Sequence, residues 1–130
     1  MIGATRQVRV FAYAAVTDMR KSYEGLSALV RNELQHDILG GDLYLFVNRR
    51  RNRAKVLHFD GTGLCIYMKR LESGRFAAPW KRTEDKSLKL STSELQLFLE
   101  GSKVVGKIPL ILPDLGADSL NTPLAGSRKR

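Results

Sequence analysis

Residues 43–71 indicate the fold of this chain most clearly. Their sequence is LYLFVNRRRNRAKVLHFDGTGLCIYMKRL. It contains three β-rich runs, LYLFV, AKVLHFD and LCIYMKRL, which are separated by an arginine-rich bend and by a glycine-rich turn. Apolar runs of this length joined by short turn signals are typical of antiparallel strands that follow one another in a sheet. The stretch therefore predicts an antiparallel β-meander.

Other segments extend this sheet. The run QVRVFAY alternates with a period of two, which predicts a short first strand at an edge of the sheet. RFAAPW predicts a fourth short strand that stops near Pro79, and SLKLS predicts a fifth. The middle strand of the meander has two alternating sets of side chains, Ala54, Val56 and His58 on one side and Lys55, Leu57 and Phe59 on the other. Both sets contain apolar residues, so the pattern leaves the core-facing side of this strand open.

A long helix is predicted between the first strand and the meander. The segment TDMRKSYEGLSALVRNELQ predicts a helix from Asp18 to Leu34, with Thr17 or Asp18 as its N-cap. Its apolar residues recur at helical spacing, at Met19, Tyr23, Leu26, Val30 and Leu34. Gly25 destabilises a helix interior by about 1 kcal/mol relative to alanine, so we expect another element to pack closely against it.

A second helix and a tail complete the predicted organisation. Ser91 and Glu94 have the spacing of a capping box, which predicts a short helix that ends at Gly101. The predicted fold is α+β, an antiparallel β-meander of three to five strands with the long N-terminal-half helix and the short C-terminal helix packed on it. Residues 1–101 are predicted to form a single domain, and residues 102–130 a Gly/Pro/Ser-rich tail that is largely disordered.

The positive charge of the chain is concentrated in one segment. The 130 residues have a formal net charge of +9. Residues 48–82 contain ten basic and two acidic residues, a net charge of +8, so nearly the whole excess lies there. A basic surface is evidence about binding partners, such as phosphate-rich polymers, and gives no information about the fold.

Residues suited to catalysis or metal binding are scattered. His36, His58 and Cys65 lack the pairwise spacing of zinc ligands, and Cys65 in a β run is predicted to be a buried, inert thiol. Asp42 and Asp60 lie at different bends, so they do not form the carboxylate cluster of a two-metal nuclease. The FDGTGLC stretch lacks the lysine and spacing of a phosphate-binding loop and reads as an ordinary hairpin turn. We expect no enzyme activity, no metal, no cofactor and no small-molecule substrate.

The arginine bend favours nucleic acid, because guanidinium groups at a hairpin tip make bidentate contacts with phosphate oxygens and a two-stranded ribbon enters a major groove. A solvated turn that opposes edge aggregation and a site for an acidic protein remain alternatives. The candidate residues are Arg49, Arg50, Arg51, Arg53, Lys55, Lys69, Arg70, Arg75, Lys81 and Arg82. Five aromatic residues nearby are either core residues or stacking platforms for single strands, namely Phe46, Phe59, Tyr67, Phe76 and Trp80.

The compartment follows from what the sequence lacks. A single cysteine cannot form an internal disulfide, and the N-terminal residues lack the apolar core and cleavage site of a leader. No apolar run approaches the roughly 20 residues that span a bilayer. We expect a cytoplasmic protein without membrane contact.

Two motif-bearing stretches, VTDMRKSYEGLSALV (Val16–Val30) and LYLFVNRRRNRAKVLHFDGTGLCIYMKRLESGRFAAPW (Leu43–Trp80), carry a resemblance to a known family. They resemble TnpB, the small accessory protein encoded by the second open reading frame of the insertion-sequence sixty-six family of bacterial transposons. The resemblance covers roughly Gln7–Gly101. It departs from the family at LHFDG, where relatives usually show tryptophans, and in the long tail.

The resemblance implies a non-catalytic role beside a separate, larger transposase that holds the catalytic acids. Two functions from different classes remain open. In the first, the chain binds DNA through its basic hairpin and assists the transposase. In the second, it contacts the transposase and other proteins of the same element without binding DNA directly.

Overall fold

The computed structural model describes residues 7–81 and 84–101. Five strands occur in chain order: β1 (Val10–Tyr13), β2 (Leu43–Val47), β3 (Arg53–Phe59), β4 (Leu64–Arg70) and β5 (Ser87–Leu90). The first helix, α1, comprises an α-helical part, Tyr23–Ala28, and a π-helical continuation, Leu29–Leu34. The second helix, α2, spans Thr92–Glu100. Short 3₁₀ turns lie at Ile38–Gly40 and Pro79–Lys81.

The strands form one sheet in the order β4-β3-β2-β1-β5. The predicted meander is confirmed, because β2, β3 and β4 pair antiparallel in succession. The predicted fifth strand is also confirmed. The edge position predicted for β1 is wrong, because β1 pairs parallel with β2 on one side and antiparallel with β5 on the other. The sheet is therefore mixed, and β5 takes the edge that β1 was expected to hold.

The segment RFAAPW is not a strand, so this prediction is wrong. Its residues Phe76, Ala77 and Ala78 are buried, with exposed fractions of 1% or less, but they run as irregular chain into the 3₁₀ turn. The Phe76 ring stacks on Phe98 of α2 with 5.4 Å between ring centroids. The apolar composition of the segment reflects this contact with a helix instead of pairing in the sheet.

The sheet is buried on both faces. Ala54 and Val56 of β3 belong to a core cluster that includes Phe98 of α2. Leu57 on the opposite face belongs to a second cluster that includes Leu26 of α1. The two faces of the middle strand are therefore both core-facing, and the helices cover opposite sides of the α+β domain.

The first helix begins later than the sequence predicts. Its first residue is Tyr23, and residues 18–21 form a separate turn closed by the Lys21 N–H donating to the Asp18 carbonyl at 3.1 Å. The carbonyls of Met19 and Lys21 accept hydrogen bonds from the Lys55 ammonium, so the segment is held by β3 instead of by helical bonding. The nearest neighbour of Gly25 is Lys21, in the turn before the helix, instead of the other element that the sequence predicts; the Lys21 Cβ lies 3.1 Å from the position a Cβ on Gly25 would occupy.

The second helix has the predicted ends. Ser91 and Glu94 form the capping box, with the Glu94 N–H donating to Ser91 Oγ and the Ser91 N–H donating to Glu94 Oε1. Gly101 follows the helix with a φ of 110°, a left-handed value that favours glycine. The predicted tail, residues 102–130, lies outside the described residues.

Candidate nucleic-acid interface

A compact turn, residues 48–53, contains the connection between β2 and β3 and the first residue of β3, Arg53; we call it the basic turn. The Arg51 N–H donates to the Asn48 carbonyl at 3.0 Å, and the Asn48 N–H donates to the Arg53 carbonyl at 3.1 Å. The Asn48 side-chain oxygen accepts from the Asn52 and Arg53 N–H groups, both at 3.1 Å. One asparagine side chain therefore occupies the inside of the turn and leaves the arginines outside it.

The basic turn is also anchored from the segment that follows β4. The Leu71 N–H donates to the Asn52 carbonyl at 2.8 Å, and the Phe76 N–H donates to the Arg51 carbonyl at 2.7 Å. Phe76 is fully buried. Arg51 adopts a left-handed backbone with φ of 59°, which costs a non-glycine residue on the order of 1 kcal/mol. These bonds to the core hold the turn in that conformation.

Arginines from neighbouring segments lie at the same end of the sheet. Arg53 and Arg70 are directly opposite each other on β3 and β4. Arg75 precedes Phe76, whose N–H is bonded to the basic turn. Like charges directly opposite each other destabilise a sheet, so the pairing of Arg53 with Arg70 lowers the stability of the free protein. We call Arg49, Arg50, Arg53, Arg70 and Arg75, all exposed, the basic end.

Few of these charges are neutralised by acids. Arg70 lies 3.9 Å from Glu72, and both side chains are exposed, so solvent weakens this pair. Within residues 7–81 and 84–101, no ion pair involves Arg49, Arg50, Arg53 or Arg75. Arg51 is half-buried and has interactions within the protein, so it is not counted in the basic end.

Two of the sequence candidates are held inside the protein. Lys55 is 9% exposed, and its ammonium donates to the Met19 and Lys21 carbonyls at 2.8 and 2.7 Å. The half-buried Lys69 donates to the Leu99 carbonyl at 2.7 Å, near the C-terminus of α2, where a positive charge is favourable. Lys81 ends the 3₁₀ turn that begins at Pro79, and Arg82 lies outside the described residues.

The exposed Lys21 was missed among the sequence candidates. Its backbone carbonyl is bonded to Lys55, and the Thr17 N–H of the same segment donates to the carbonyl of Val47, the residue before the basic turn. These bonds place residues 17–21 beside the basic end. The neighbouring Arg20 pairs with Asp18 at 2.7 Å, so its charge is largely neutralised locally. This proximity depends on tertiary contacts with Lys55 and Val47, which the sequence does not show.

The core interpretation of the five aromatic candidates holds for two of them. Phe46 and Phe76 are fully buried, whereas Phe59 and Trp80 are half-buried. Tyr67 is 54% exposed, but it is opposite Val56 on the face of β4 that does not carry Arg70. The basic end therefore offers guanidinium groups without an adjacent exposed ring from this set, which fits contacts with a phosphate backbone better than stacking of unpaired bases.

The remaining chemical candidates do not form a reactive site. Among residues 7–81 and 84–101, no group of three or more histidine, cysteine or acidic residues is placed to hold a metal ion. Cys65 is exposed, so the predicted burial of its thiol is wrong; β4 is an edge strand. Partial desolvation and Asp60, whose Oδ2 lies 3.6 Å from the sulfur, raise the pKa of the thiol, which keeps it protonated and a poor nucleophile.

The part of the chain that the structure describes contains no helix with the length and apolarity needed to cross a bilayer. No solved structure is similar to the chain at a significant level. Two proteins of Sinorhizobium fredii (strain NBRC 101917 / NGR234) are similar to it. Uncharacterized protein y4jC is 35% identical over 101 residues, which cover 78% of this chain and 85% of that protein. Uncharacterized protein y4hO is 34% identical over 101 residues, which cover 78% and 86%.

The family described as IS66 Orf2 like protein has a sequence model that matches residues 8–107. The match spans all five strands, both helices and the basic end. The chain therefore belongs to the IS66 Orf2-like family of insertion-sequence accessory proteins.

Proposed function

We propose that this accessory protein binds DNA through the basic end and assists a separate transposase without catalysing strand cleavage itself. The DNA and the transposase are its partners, and no cofactor takes part. Arg49, Arg50, Arg53, Arg70 and Arg75 contact phosphates, with Arg51 and Lys21 as flanking positive charges. Lys81 and Arg82 stay predictions from the sequence. Lys55 and Lys69 support the fold beneath this surface, because their ammonium groups are bonded to backbone carbonyls.

The observation that carries the proposal is the hydrogen-bonded backbone of a turn whose Arg49, Arg50 and Arg53 form no ion pair with any residue that the structure describes. The Asn48 bonds and the anchoring bonds from Leu71 and Phe76 fix the backbone of the basic turn before any partner arrives. A preorganised turn spends little conformational entropy on binding. The directly opposed Arg53 and Arg70 repel each other in the free protein, and a phosphate between them would relieve that repulsion.

The acidic residues support a non-catalytic role. Asp42 accepts from both the backbone and the guanidinium of Arg9, and Asp60 accepts from its own turn. Glu72 lies beside Arg70 at the other end of β4 from Asp60. Two-metal cleavage of DNA needs several carboxylates around ions about 4 Å apart. We expect supercoiled plasmid to remain intact with magnesium or manganese; cleavage lost on replacing Asp60 or Glu72 would contradict this.

Fluorescence anisotropy with labelled transposon-end duplex, scrambled duplex and single-stranded DNA tests the binding proposal. Each titration is repeated over a range of salt concentrations. For duplex DNA, log affinity should fall by about 0.9 per log unit of salt for each phosphate neutralised. We expect tighter binding to duplex than to single strands. Binding that is absent at low salt would contradict the proposal.

A matched pair of variants separates the basic end from general charge. Arg49→Gln/Arg50→Gln removes two charges from the basic turn, and Arg31→Gln/Lys89→Gln removes two exposed charges from α1 and β5. The first variant should lower affinity and reduce the salt slope by about two units, one per lost contact. The second should change both quantities much less. Equal effects would show that the protein uses diffuse charge instead of this turn.

The alternative function, a subunit that contacts the transposase without touching DNA, predicts a different result. Wild-type protein would then ignore all three DNA probes while still binding purified transposase. The basic-turn variant would keep its fold and its binding to the transposase. This outcome would overturn the DNA proposal and leave the accessory role in place.

A further inference from the structure

Strand β4 has a neighbour on one side only among the described residues. Its seven residues make it a long edge strand, and its first five residues, Leu64–Met68, are uncharged. Tyr67 and Met68 are 54% and 55% exposed. Proteins usually protect such an edge with charged side chains, but the Lys69 ammonium is directed to the Leu99 carbonyl. In the part of the chain that the structure describes, this edge therefore has no strand partner.

The hydrogen bonds of the β3–β4 pair show which groups face outward. The Asp60 N–H donates to the Gly63 carbonyl, and the Leu71 N–H donates to the Asn52 carbonyl in the same register. Bonded and non-bonded pairs alternate along an antiparallel ladder, so Cys65, Tyr67 and Lys69, which lie every second residue between Gly63 and Leu71, bond to β3. The outward N–H and C=O groups belong to the residues between them, Leu64, Ile66, Met68 and Arg70.

We propose that two copies of this chain pair antiparallel along β4, with the two-fold axis at Tyr67, and so form a symmetric dimer with a continuous ten-stranded sheet. Tyr67 is the midpoint of the seven-residue strand. This register pairs all four outward residues of each copy, Leu64 with Arg70 and Ile66 with Met68. A shift by two residues would leave outward groups of both strands unpaired.

The side chains fit this register on both faces. The two Tyr67 residues meet at the axis as a non-hydrogen-bonded pair, where side chains approach most closely. Met68 packs against Ile66 of the second copy, which removes an exposed apolar side chain from water. The dimer is isologous, because each contact occurs twice around the axis.

The charges at the two ends of β4 are complementary when the strand pairs with itself. Lys69 and Arg70 lie at one end, and the Asp60 turn lies at the other. Antiparallel pairing places Lys69 of one copy opposite Cys65 of the second copy. The Lys69 ammonium is bonded to the Leu99 carbonyl, so the exposed Arg70, opposite Leu64 of the second copy, is the cation that lies beside the Asp60 turn of that copy. Parallel pairing would bring like charges together, and it is disfavoured.

Light scattering on the intact protein, over a range of concentrations and without DNA, tests the dimer directly. We expect a mass approaching twice the 14.6 kDa of the chain as concentration rises. Met68→Lys should return the protein to a monomer with an unchanged circular dichroism spectrum. Leu39→Lys, at a similarly exposed apolar residue outside the sheet, should leave the dimer intact. A wild-type monomer at every concentration would overturn the inference.

Disulfide trapping tests the register. In a Cys65→Ser background, Tyr67→Cys places two thiols on the axis at a Cα separation of about 4.5 Å, within the range for a disulfide. Met68→Cys in the same background leaves its thiols two positions out of register, with Cα atoms about 8 Å apart, which is too far. Mild oxidation should cross-link the first variant alone. Equal cross-linking of both, or cross-linking at position 68 alone, would overturn the register. Neither result depends on DNA binding.

Discussion

The two turns of the meander carry opposite charges and use them in opposite ways. At the β3–β4 turn, the Asp60 carboxylate accepts hydrogen bonds from the N–H groups of Thr62 and Gly63 at 2.9 Å and from the Thr62 hydroxyl at 3.1 Å. At the β2–β3 turn, a neutral side chain, that of Asn48, organises the backbone. Arg49 and Arg50 add nothing to that internal bonding and remain exposed.

The difference separates a charge that builds structure from a charge that is available to a partner. The Asp60 turn satisfies its carboxylate within four residues, so its negative charge has a structural explanation. The hydrogen bonds of the basic turn do not involve the side chains of Arg49 and Arg50, so the positive charge of these two residues has none. A rigid frame that displays unpaired charge is the arrangement expected of a binding surface. The same separation applies among the basic residues, where Lys55 is structural and Arg49 is not.

The largest effect on stability is expected at Lys55. Lys55→Met keeps most of the side-chain volume but leaves the Met19 and Lys21 carbonyls without their buried donor. Hydrogen bonds from a charged donor contribute about 1.5–3 kcal/mol each, so the loss of both should lower the free energy of unfolding by about 3–6 kcal/mol. Urea unfolding measures this loss. Lys89→Met, at an exposed residue of β5, is the control and should have little effect. A similar small loss for Lys55→Met would show that this lysine is not structural.

A smaller effect on stability is expected at Asn48. It separates the contribution of the hydrogen-bonded backbone of the basic turn from that of its charge. Asn48→Ala removes the acceptor of the Asn52 and Arg53 N–H groups without changing any charge. We expect a loss of about 1–2 kcal/mol in stability, together with weaker DNA binding because the arginines lose their fixed frame. Asn32→Ala, on the exposed side of α1, serves as the control for both measurements. Unchanged DNA affinity in a folded Asn48→Ala protein would show that preorganisation contributes nothing.

The smallest effect is expected at Asp60 and depends on pH. Its hydrogen bonds with Thr62 and Gly63 lower the pKa of the carboxyl group from 3.8 to about 2. A carboxyl group with a lowered pKa stabilises the folded state above its ordinary value and loses this contribution as pH falls towards its folded value. The urea midpoint of the wild type should therefore fall between about pH 4 and pH 2.

The Asp60→Asn variant should show a shallower fall in that pH range than the wild type, and its affinity for DNA should be unchanged. Glu84→Gln, at an exposed position on another segment, controls for loss of a negative charge. Identical pH profiles for the wild type and Asp60→Asn would contradict the lowered pKa. A change in DNA affinity for Asp60→Asn alone would weaken the contrast between the two turns.

Local signals predicted most of the elements, whereas contacts distant in sequence determined what was missed. Ser91 and Glu94 cap α2 through adjacent residues, so their spacing alone was sufficient. The start of α1 was misplaced because Lys55, 34 residues from Lys21, takes the carbonyls of the preceding turn. The interior position of β1 depends on pairing with β5, which begins 74 residues after Tyr13. Alternation along a single strand contains no information about such partners.

The candidate site was predictable in the same partial way. Clustering of basic residues in sequence identified the basic turn, and the strand register then brought Arg53 and Arg70 together. Composition could not show that Lys55 and Lys69 are bonded to carbonyls of α1's preceding turn and of α2. A count of basic residues treats Lys69 and Arg49 alike. The structure shows that Lys69 is bonded at the end of α2, whereas Arg49 is exposed to solvent.

Amide chemical-shift mapping with a short duplex tests the central claim most directly, because it reports both turns in one sample. The largest changes in amide chemical shift should occur at residues 48–53 and 70–76, and they should diminish as salt is added. The Asp60 turn, residues 60–63, should be unaffected and serves as an internal control. Shifts confined to the Asp60 turn, or a spectrum unchanged by saturating duplex at low salt, would contradict the account.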